Sequence, residues 1–576
     1  MLLNPADTSR VMQRAAVFAL ALLAAAAHAA EPRVTSVTPT ANGWQVAVQG
    51  IASPEFQLDG QAITPRRIEG DPGDGGAWEI PATQETAAAR LVVRDGKRDA
   101  LALRLGADTP ADAPFDDWTV YHIMLAYFRN GDGNNDRAGL KRWVHPNYAG
   151  GDLQGVLSKV DYLKSLGVNA VWLSPLFAAE TSHGYDVMNY YRIGDAVSVP
   201  RDRDAAMQLY HRTVDALHAA GIRVIIDLPL NHGSGNYERR EGDPKRLRPK
   251  TTSAQQDAEK LWESWNSGFG FWNFRDPGTR EFLKEVGRYW LTEGKADGYR
   301  LDYVRGVPHD FWGEFYAAMK ATKPDAFLFG EAWQDAEAAA PIAEDIATYY
   351  APVSGIGPQF DGLIEFPLQM VMTDVFARGT GRATDLERWL QRTSALYGAE
   401  GRPVHFLDNH DMSRFLSWTG EHGQERLLAA LGFMASLSSP MVIYYGTETG
   451  ISGGRAAPGF NDSSRIPMPW NSLDTKLIAR VSEILAARSR LPAITRGGRL
   501  PVFCDEQVLV MRKHHPSGDV LVGVNLGDAE RTVQLPAGAV AVGEWKPVLG
   551  NSAPRVAPDG SMTWTLPPLS TNWVQP

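Results

Sequence analysis

Carboxylic acids stand where several short apolar runs of this sequence end. Asp302 follows Gly-Tyr-Arg-Leu, Glu331 follows Phe-Leu-Phe-Gly, and Asp411 closes Leu-Asp-Asn-His-Asp. Two carboxyl groups can cleave a glycosidic bond when one is ionised and attacks while the other donates its proton. Since an unpaired charge buried in an apolar core costs several kcal/mol, acids that recur at strand ends indicate catalysis.

The sequence neighbours of two of these acids predict different protonation states. Arg300 lies two residues before Asp302, and side chains at positions i and i+2 of a strand share a face, so its guanidinium should keep this carboxylate ionised. Apolar neighbours should instead raise the pKa of Glu331 toward the value that a proton donor needs. These neighbours are Phe327, Phe329, Ala332 and Trp333.

A fourth run, Asp227-Leu-Pro-Leu-Asn-His232, ends in the same way. A single acid in such a place could equally cap a helix, but four similar ends together favour a catalytic site. Asp227 and Asn231 are expected to hold loops rather than to contact a ligand. His145 and His309 are expected to be structural.

An alternating series of strands and helices must position these residues. Apolar runs separated by amphipathic helical patterns are typical of parallel βα units, and eight units favour a closed barrel. The predicted fold class is therefore α/β, a (β/α)8 TIM barrel. The strands are predicted at 120–124, 170–173, 224–228, 298–302, 327–331, 362–366, 404–408 and 441–445, with helices at 153–166, 202–220, 280–293 and 475–490.

The chain of 576 residues is long enough for three domains. Short alternating runs predict an N-terminal β-sandwich at 30–110 and a C-terminal β-sandwich at 491–576, on either side of a catalytic barrel at 115–490. The barrel contains a long, Trp-rich third loop at about 231–274, and a loop of that length is usually functional. Its aromatic residues could stack on a ligand or pack on the barrel: Trp262, Trp265, Phe269, Phe271 and Trp272.

Residues 1–29 have the features of a signal peptide. Arg10 and Arg14 precede an apolar run at 15–27, and Ala27-His28-Ala29 resembles a cleavage site. The alternative is a membrane anchor, but this run is shorter than the roughly 20 residues that cross a bilayer. We therefore expect a periplasmic or secreted protein with no membrane span after removal of the signal.

The charged residues exclude one class of partner and leave another open. The formal net charge is −10, and acidic and basic residues are interspersed, so nucleic-acid binding is not expected. A neutral polymer is a more plausible ligand. Cys504 is the one cysteine and has no partner for an intrachain disulfide, so stability must come from packing, to which a bound metal could contribute.

The four strand-end segments resemble the signature regions of the α-amylase family, glycoside hydrolase family 13. The resemblance implies that Asp302 is the nucleophile, Glu331 the general acid/base and Asp411 the acid that stabilises the transition state. It also implies that α-glucan, such as starch or cyclodextrin, is the substrate and that the anomeric configuration is retained, with carboxyl groups about 5–5.5 Å apart. The implied sugar-binding residues are Tyr185, His232, Arg300 and His410.

A polar loop after the first strand predicts a calcium site. Carboxylate, amide and carbonyl oxygens are the ligands that Ca²⁺ prefers, although a Gly-rich loop could merely satisfy its own backbone. The spacing resembles a calcium loop of the neopullulanase and cyclomaltodextrinase branch of the family. The implied ligands are Asn130, Asp132, Asn135, Asp136, the Gly150 carbonyl and Asp152.

The sequence departs from the family pattern at Arg305 and Gly306. Many amylases carry a Lys-His pair at the positions of Arg305 and Gly306, so their interdomain calcium site and +2 subsite contacts are in doubt here.

Transglycosylation would use the same three acids as hydrolysis. A non-catalytic sugar-binding or transport-accessory protein would be expected to lack one of them. The N-terminal sandwich could bind glucan or pack in a homodimer, as in the neopullulanase branch.

Overall fold

The structure of the protein is a computed structural model. The structure describes residues 32–40, 43–69, 75–81, 90–96, 99–105, 115–238, 269–334, 337–350, 357–398, 401–454, 464–535, 538, 543–558 and 561–576. The predicted signal peptide at 1–29, Trp262 and Trp265 lie outside these residues. Within the described ranges, no helix combines the length and the apolar character needed to cross a membrane.

The N-terminal region consists of two four-stranded antiparallel sheets, ordered β1-β2-β6-β5 and β4-β3-β7-β8. Alternate side chains are buried along β2 and β6, as expected when one face of each sheet lines a shared core. The core includes Val37, Val46, Ile80 and Leu91. The strands are β1 (Arg33–Thr40), β2 (Gly43–Gln49), β3 (Glu55–Leu58), β4 (Gln61–Ile63), β5 (Arg66–Glu69), β6 (Gly75–Pro81), β7 (Arg90–Asp95) and β8 (Asp99–Arg104).

The central region is a closed barrel of eight parallel strands, ordered β9-β10-β13-β16-β17-β18-β19-β20. All eight predicted strands are present, and nearly every residue in them is buried, as a sheet covered on both faces requires. Two short ribbons, β11-β12 and β14-β15, lie in its loops. The strands are β9 (Thr119–Ile123), β10 (Ala170–Leu173), β11 (Phe177–Ala179), β12 (Val187–Ile193), β13 (Arg223–Leu228), β14 (His232–Ser234), β15 (Phe269–Phe271), β16 (Gly298–Leu301), β17 (Phe327–Gly330), β18 (Gly362–Ile364), β19 (Pro403–Phe406) and β20 (Met441–Tyr444).

Helices surround the barrel, and one of them differs from its prediction. The helix predicted at 153–166 is split between Leu157 and Val160, where Lys159 leaves helical geometry and its ammonium lies 4.0 Å from the centre of the Trp470 ring. The helices are α1 (Leu125–Phe128), α2 (Leu153–Leu157), α3 (Val160–Leu166), α4 (Arg203–Ala219), α5 (Pro277–Thr292), α6 (His309–Thr322), α7 (Ala339–Tyr350), α8 (Phe366–Met372), α9 (Ala383–Tyr397), α10 (Gly423–Ala435), α11 (Thr475–Arg490) and α12 (Pro492–Arg496). A π-helical turn, Thr373–Arg378, extends α8.

The C-terminal region is a second pair of sheets, with five strands ordered β21-β22-β23-β28-β25 and three ordered β24-β27-β26. Trp564 and Val510 belong to the core between them. The strands are β21 (Gly498–Cys504), β22 (Val508–His515), β23 (Gly518–Asn525), β24 (Arg531–Leu535), β25 (Lys546–Leu549), β26 (Arg555–Val556), β27 (Met562–Leu566) and β28 (Ser570–Gln575).

Helix α9 joins the three regions. The buried side chain of Gln391 accepts from the backbone N–H of Val34 in β1 and donates to the carbonyl of the same residue, at 2.8 and 2.7 Å. One turn earlier, Glu387 binds the guanidinium of Arg499 in β21 at 2.6 Å. Both flanking sandwiches are therefore fastened to the same helix of the barrel.

Candidate active site

The carboxyl ends of four barrel strands bring the predicted site residues together. Asp227 lies in β13 and Arg300 lies in β16. Asp302 directly follows β16, and Glu331 directly follows β17. His410 and Asp411 lie in the loop after β19. Because parallel strands of a barrel end at one face, these side chains converge although up to 184 residues separate them along the chain.

Arg300 lies at the centre of this group and is fully buried. Its Nη1 donates to Asp302 Oδ1 at 2.6 Å and to Asp227 Oδ1 at 2.9 Å, while Nη2 lies 2.6 Å from Glu331 Oε2. The predicted contact with Asp302 is present. Contacts with Asp227 and Glu331 were not predicted, because they join side chains from three different strands.

Glu331 has the properties of a proton donor. Burial raises its pKa to about 8, against the opposing effect of the Arg300 charge. Oε2 forms an ion pair with Arg300 and accepts a hydrogen bond from the backbone N–H of Tyr303 at 3.2 Å, whereas the buried Oε1 has no hydrogen-bond partner among the described residues. The sequence predicted a raised pKa from a wholly apolar setting. That description of the setting was incomplete, because a guanidinium contacts one of the two oxygens.

Asp411 is held in the opposite state. Burial would raise its pKa, but His410 and Arg465 lower it well below its usual range. His410 Nε2 lies 3.0 Å from Oδ2, and Arg465 Nη2 lies 3.1 Å from Oδ1. Arg465 also donates from Nε to the carbonyl of His410 at 2.8 Å. Sequence reasoning missed Arg465, since it comes from a different loop and no motif surrounds it.

Tyr185 forms a nearly parallel stack with His410, with ring centres 5.3 Å apart. Its hydroxyl donates to Asp227 Oδ2 at 2.8 Å and lies 2.7 Å from His410 Nε2. Asp227 is fully buried and also accepts from the Trp172 indole at 2.9 Å. Asp227 therefore positions the side chains of Trp172, Tyr185 and Arg300.

Two further histidines, His232 and His122, lie beside these residues. His232 is buried beside Phe269, with ring centres 4.3 Å apart, and burial lowers the pKa of its imidazole. His122, which the sequence did not single out, stacks on Trp172 with ring centres 3.6 Å apart and approaches His410 edge-on at 5.1 Å. Burial also holds the pKa of His122 well below its usual range, so both rings are neutral near pH 7.

The two histidines predicted to be structural have local partners. His309 Nδ1 lies 2.9 Å from Gln359 Oε1, and its ring stacks on Tyr349. His145 Nδ1 accepts from the backbone N–H of Asn147 at 3.0 Å. These contacts place both rings in turns or helix packing, away from the Arg300 centre.

Comparison with known proteins identifies the family. A family model described as the catalytic domain of α-amylase matches residues 122–479. This chain belongs to the α-amylase family. It is 30% identical to neopullulanase 2 of Thermoactinomyces vulgaris over 440 residues, 71% of this chain and 69% of that protein. It is also 30% identical to a cyclomaltodextrinase of a Bacillus species over 413 residues, 66% of this chain and 67% of that protein.

Solved structures agree with the sequence match. An α-amylase from Anoxybacillus is 26% identical, with a TM-score of 0.67, over 80% of this chain and 98% of the other. As an α-amylase-family member, the protein is a glycoside hydrolase on a (β/α)8 barrel with β-rich flanking regions. The predicted family and fold class are confirmed.

The departure at Arg305 and Gly306 has a structural basis in this α-amylase-family chain. Arg305 turns toward α7 and forms ion pairs with Glu337 at 2.6 Å and Asp345 at 2.9 Å. A Cβ atom at position 306 would lie 2.2 Å from Asn231 Oδ1. A histidine at this position would therefore require Asn231 to move.

The predicted calcium loop is compact and rich in oxygen atoms. Asn130 Nδ2 donates to Asp136 Oδ1 at 2.9 Å, and both atoms lie beside Gly150, where a Cβ would come within 2.4 Å of each. The Oδ1 atom of Asn135 is buried and has no hydrogen-bond partner among the described residues. An orphaned amide oxygen beside carboxylates fits a hard cation.

Asp152 organises the same loop. Its two oxygens accept from four N–H groups, on Gly131, Asp132, Asn135 and Gly155, at 2.6–3.1 Å. No set of three or more His, Cys, Asp or Glu side chains within the described ranges is arranged to hold a metal. Amide and carbonyl oxygens would therefore have to supply part of the coordination.

Proposed function

We propose that this protein hydrolyses α-glucosidic bonds, mainly α-1,4, in starch, maltooligosaccharides, pullulan or cyclodextrins, with retention of the anomeric configuration. The family supports the reaction class, and relatives named neopullulanase and cyclomaltodextrinase support the substrate class. One observation carries the mechanism. The two terminal nitrogens of Arg300 contact Asp302 and Glu331, which keeps the two carboxyl groups near each other.

Asp302 and Glu331 divide the first step between them. Arg300 holds Oδ1 of Asp302, which leaves Oδ2 to attack the anomeric carbon as the glycosidic bond breaks. The protonated Glu331 donates its proton from Oε1 to the leaving oxygen. The products of this step are a glycosyl ester on Asp302 and a shortened glucan with a new hydroxyl group.

The second step reverses these roles. The ionised Glu331 takes a proton from water, the resulting hydroxide attacks the anomeric carbon, and Asp302 leaves as a carboxylate. The negative charge of Asp411 stabilises the oxocarbenium-like transition state, and His410 and Arg465 fix its orientation. Tyr185 and His232 would contact the sugar ring. A sugar hydroxyl in place of water would give transglycosylation instead.

Substitution of Glu331 tests this proposal. Glu331→Gln should lower the rate of hydrolysis of starch, pullulan and cyclodextrin by at least about 10³-fold, because it removes the proton donor and keeps the shape. Glu344→Gln, at an exposed site on α7, should retain wild-type rates. NMR of the first product should show the α-anomer, and product chains at high maltooligosaccharide concentration would report transglycosylation. Inactivity of the wild type on all three substrates, or a β-anomeric first product, contradicts the proposal.

We propose that the loop between β9 and α2 binds a structural Ca²⁺. Asn130, Asp132, Asn135, Asp136 and the Gly150 carbonyl would supply oxygens, and Asp152 would hold the loop and remains a candidate ligand. The buried, orphaned oxygen of Asn135 and the convergence of Asn130 and Asp136 support this assignment. The ion would stabilise the loop, which leads directly into the barrel helix α2.

We further propose that the enzyme is exported, on the basis of the sequence pattern at 1–29. Starch and pullulan are polymers that a cell meets outside its inner membrane, so an exported enzyme would act where they occur. Mass spectrometry of the protein recovered from the periplasm or medium should give an N-terminus near residue 30. Recovery of the full-length chain from the cytoplasm alone would contradict export.

A further inference from the structure

A cavity of about 230 Å³ lies at the opposite end of the barrel from the catalytic acids. Residues next to the amino ends of β9, β19 and β20 line it, including Asp116, Arg402 and Ser438. Arg90 of β7, in the N-terminal sandwich, and Lys513 of β22, in the C-terminal sandwich, also line it. All three regions of the chain therefore meet around this space.

The lining of this cavity carries an excess of positive charge. Five cationic side chains face it, against one described carboxylate in the lining, Asp116. Two further carboxylates lie behind the lining, where Glu387 binds Arg499 at 2.6 Å and Asp117 lies 3.7 Å from Arg496. The cationic residues are Arg90, Arg402, Arg496, Arg499 and Lys513.

Lys513 is the least compensated of these cations. Only 1% of its surface is exposed, its Nζ donates to Ser438 Oγ at 2.6 Å, and no carboxylate of the described residues is among the main charges that act on it. Burial, together with the charges of Arg499 and Arg488, lowers its pKa well below the usual value. Because burial disfavours the charged form of this amine, an anion bound beside it would favour its protonation.

A second polar side chain in the lining is also unsatisfied. His405, in β19, is 4% exposed, and its Nδ1 atom has no hydrogen-bond partner among the described residues. Its Nε2 lies 3.2 Å from the carbonyl of Ser438, and burial lowers the pKa of the imidazole to about 3, so the ring is neutral near pH 7 with its proton on Nε2. The unsatisfied Nδ1 is therefore a hydrogen-bond acceptor, which the O–H group of a hydrogen phosphate ion could satisfy.

We propose that this cavity binds a small oxyanion of the inorganic phosphate type, which links the barrel to both sandwiches. The volume corresponds to several waters, at about 30 Å³ each, so a tetrahedral anion fits with water beside it. Guanidinium groups bind such anions through paired N–H donors, and an ammonium adds a point charge. The anion would act as a counterion for Lys513.

Thermal unfolding of the full chain tests the proposal. Inorganic phosphate, added at constant ionic strength with a bulky sulfonate salt as the balance, should raise the wild-type midpoint by about 1–3 °C between zero and about 50 mM. Lys513→Met should abolish this rise, because it removes the central charge and keeps the length of the side chain. Lys546→Met, at an exposed site in β25 of the same sheet, should show the full rise.

Two further measurements separate this cavity from other binding sites. Calorimetric titration of the wild type with inorganic phosphate should show about one site, so the proposal stays testable if Lys513→Met does not fold. The initial rate on saturating starch should not change with phosphate, because the cavity is remote from the acids. A midpoint that does not respond to phosphate, an undiminished rise in Lys513→Met, or the absence of calorimetric binding would each overturn the proposal and would mean that water alone fills the cavity.

Discussion

Glu331 and Asp411 are acids of one site whose pKa values move in opposite directions, and their contacts explain the difference. Glu331 is more deeply buried and shares its single cation, Arg300, with Asp227 and Asp302. Asp411 is more exposed, and His410 and Arg465 contact its two oxygens separately. A shared cation compensates burial only in part, so Glu331 keeps a proton where Asp411 does not.

This difference predicts the alkaline limit of activity. Because catalysis requires protonated Glu331, kcat/KM should fall to half its plateau value near pH 8 and should approach a tenfold loss per pH unit well above it. Initial rates on a soluble maltooligosaccharide between pH 5 and 10 measure this limb. Full activity that persists to pH 10 would contradict the assignment of Glu331 as the acid.

The pH dependence of the free energy of unfolding tests the protonation state of Glu331 independently. The folded-state pKa of Glu331 is raised, so the stability it contributes is present below its unfolded pKa and is lost as the pH rises through about 8. Glu331→Gln cannot ionise, and it should therefore lose less stability than the wild type between pH 5 and 9. Equal losses in thermal midpoint would show that Glu331 already ionises at low pH.

The sequence was informative about residues at strand ends and uninformative about contacts between loops. Asp302, Glu331 and Asp411 follow apolar runs, so the barrel alone predicts that they meet. Arg465 contacts Asp411 from a loop after β20, and no spacing along the chain encodes that approach. Similarly, His122 within β9 could be recognised only after its stacking on Trp172 was known.

At the scale of elements, strands were easier to predict than the ends of helices. A barrel strand buried on both faces needs a continuous apolar run, which is a local property of the sequence. The break between α2 and α3 depends instead on packing of Lys159 over Trp470, about three hundred residues later. A local helical pattern cannot reveal such a contact.

The loop before α2 gives a prediction at the same scale. Asp152 caps α2 through the N–H of Gly155, so an ion that orders this loop should also stabilise the helix that follows. Removal of Ca²⁺ with a chelator should lower the thermal midpoint by roughly 3–6 °C, and excess Ca²⁺ should restore it. Elemental analysis of the purified protein should show about one calcium ion per chain.

Two variants check that this effect belongs to the loop. Asp132→Asn removes one proposed ligand charge and should weaken the response to Ca²⁺, whereas Asp161→Asn, at an exposed position of α3, should respond as the wild type does. Midpoints that are equal with and without chelator, in a protein that contains no metal, would show that the loop satisfies its own polar groups.

At the scale of the whole molecule, one chain of hydrogen bonds connects the two sandwiches through the barrel. Val34 of β1 contacts Gln391, Gln391 donates to Glu387, and Glu387 binds Arg499 of β21. The length of the chain and its strand patterns predicted three regions, but the way in which they dock depends on residues more than 350 positions apart. Local patterns carry no information about such pairs.

Gln391→Ala should loosen the N-terminal sandwich without affecting catalysis. It leaves the buried N–H and carbonyl of Val34 without their partner, and each lost partner costs about 1–3 kcal/mol. Calorimetry should show a lower midpoint for the first unfolding transition, while kcat and KM on starch stay at wild-type values because Gln391 is remote from Arg300. Gln208→Ala, at an exposed position of α4, should change neither quantity. If Gln391→Ala unfolded at the wild-type temperature, other contacts would have to hold the sandwich, such as the hydrogen bond from Arg90 to the carbonyl of Ser394 at 2.8 Å, and the hydrogen bonds of Gln391 would play no part in its docking.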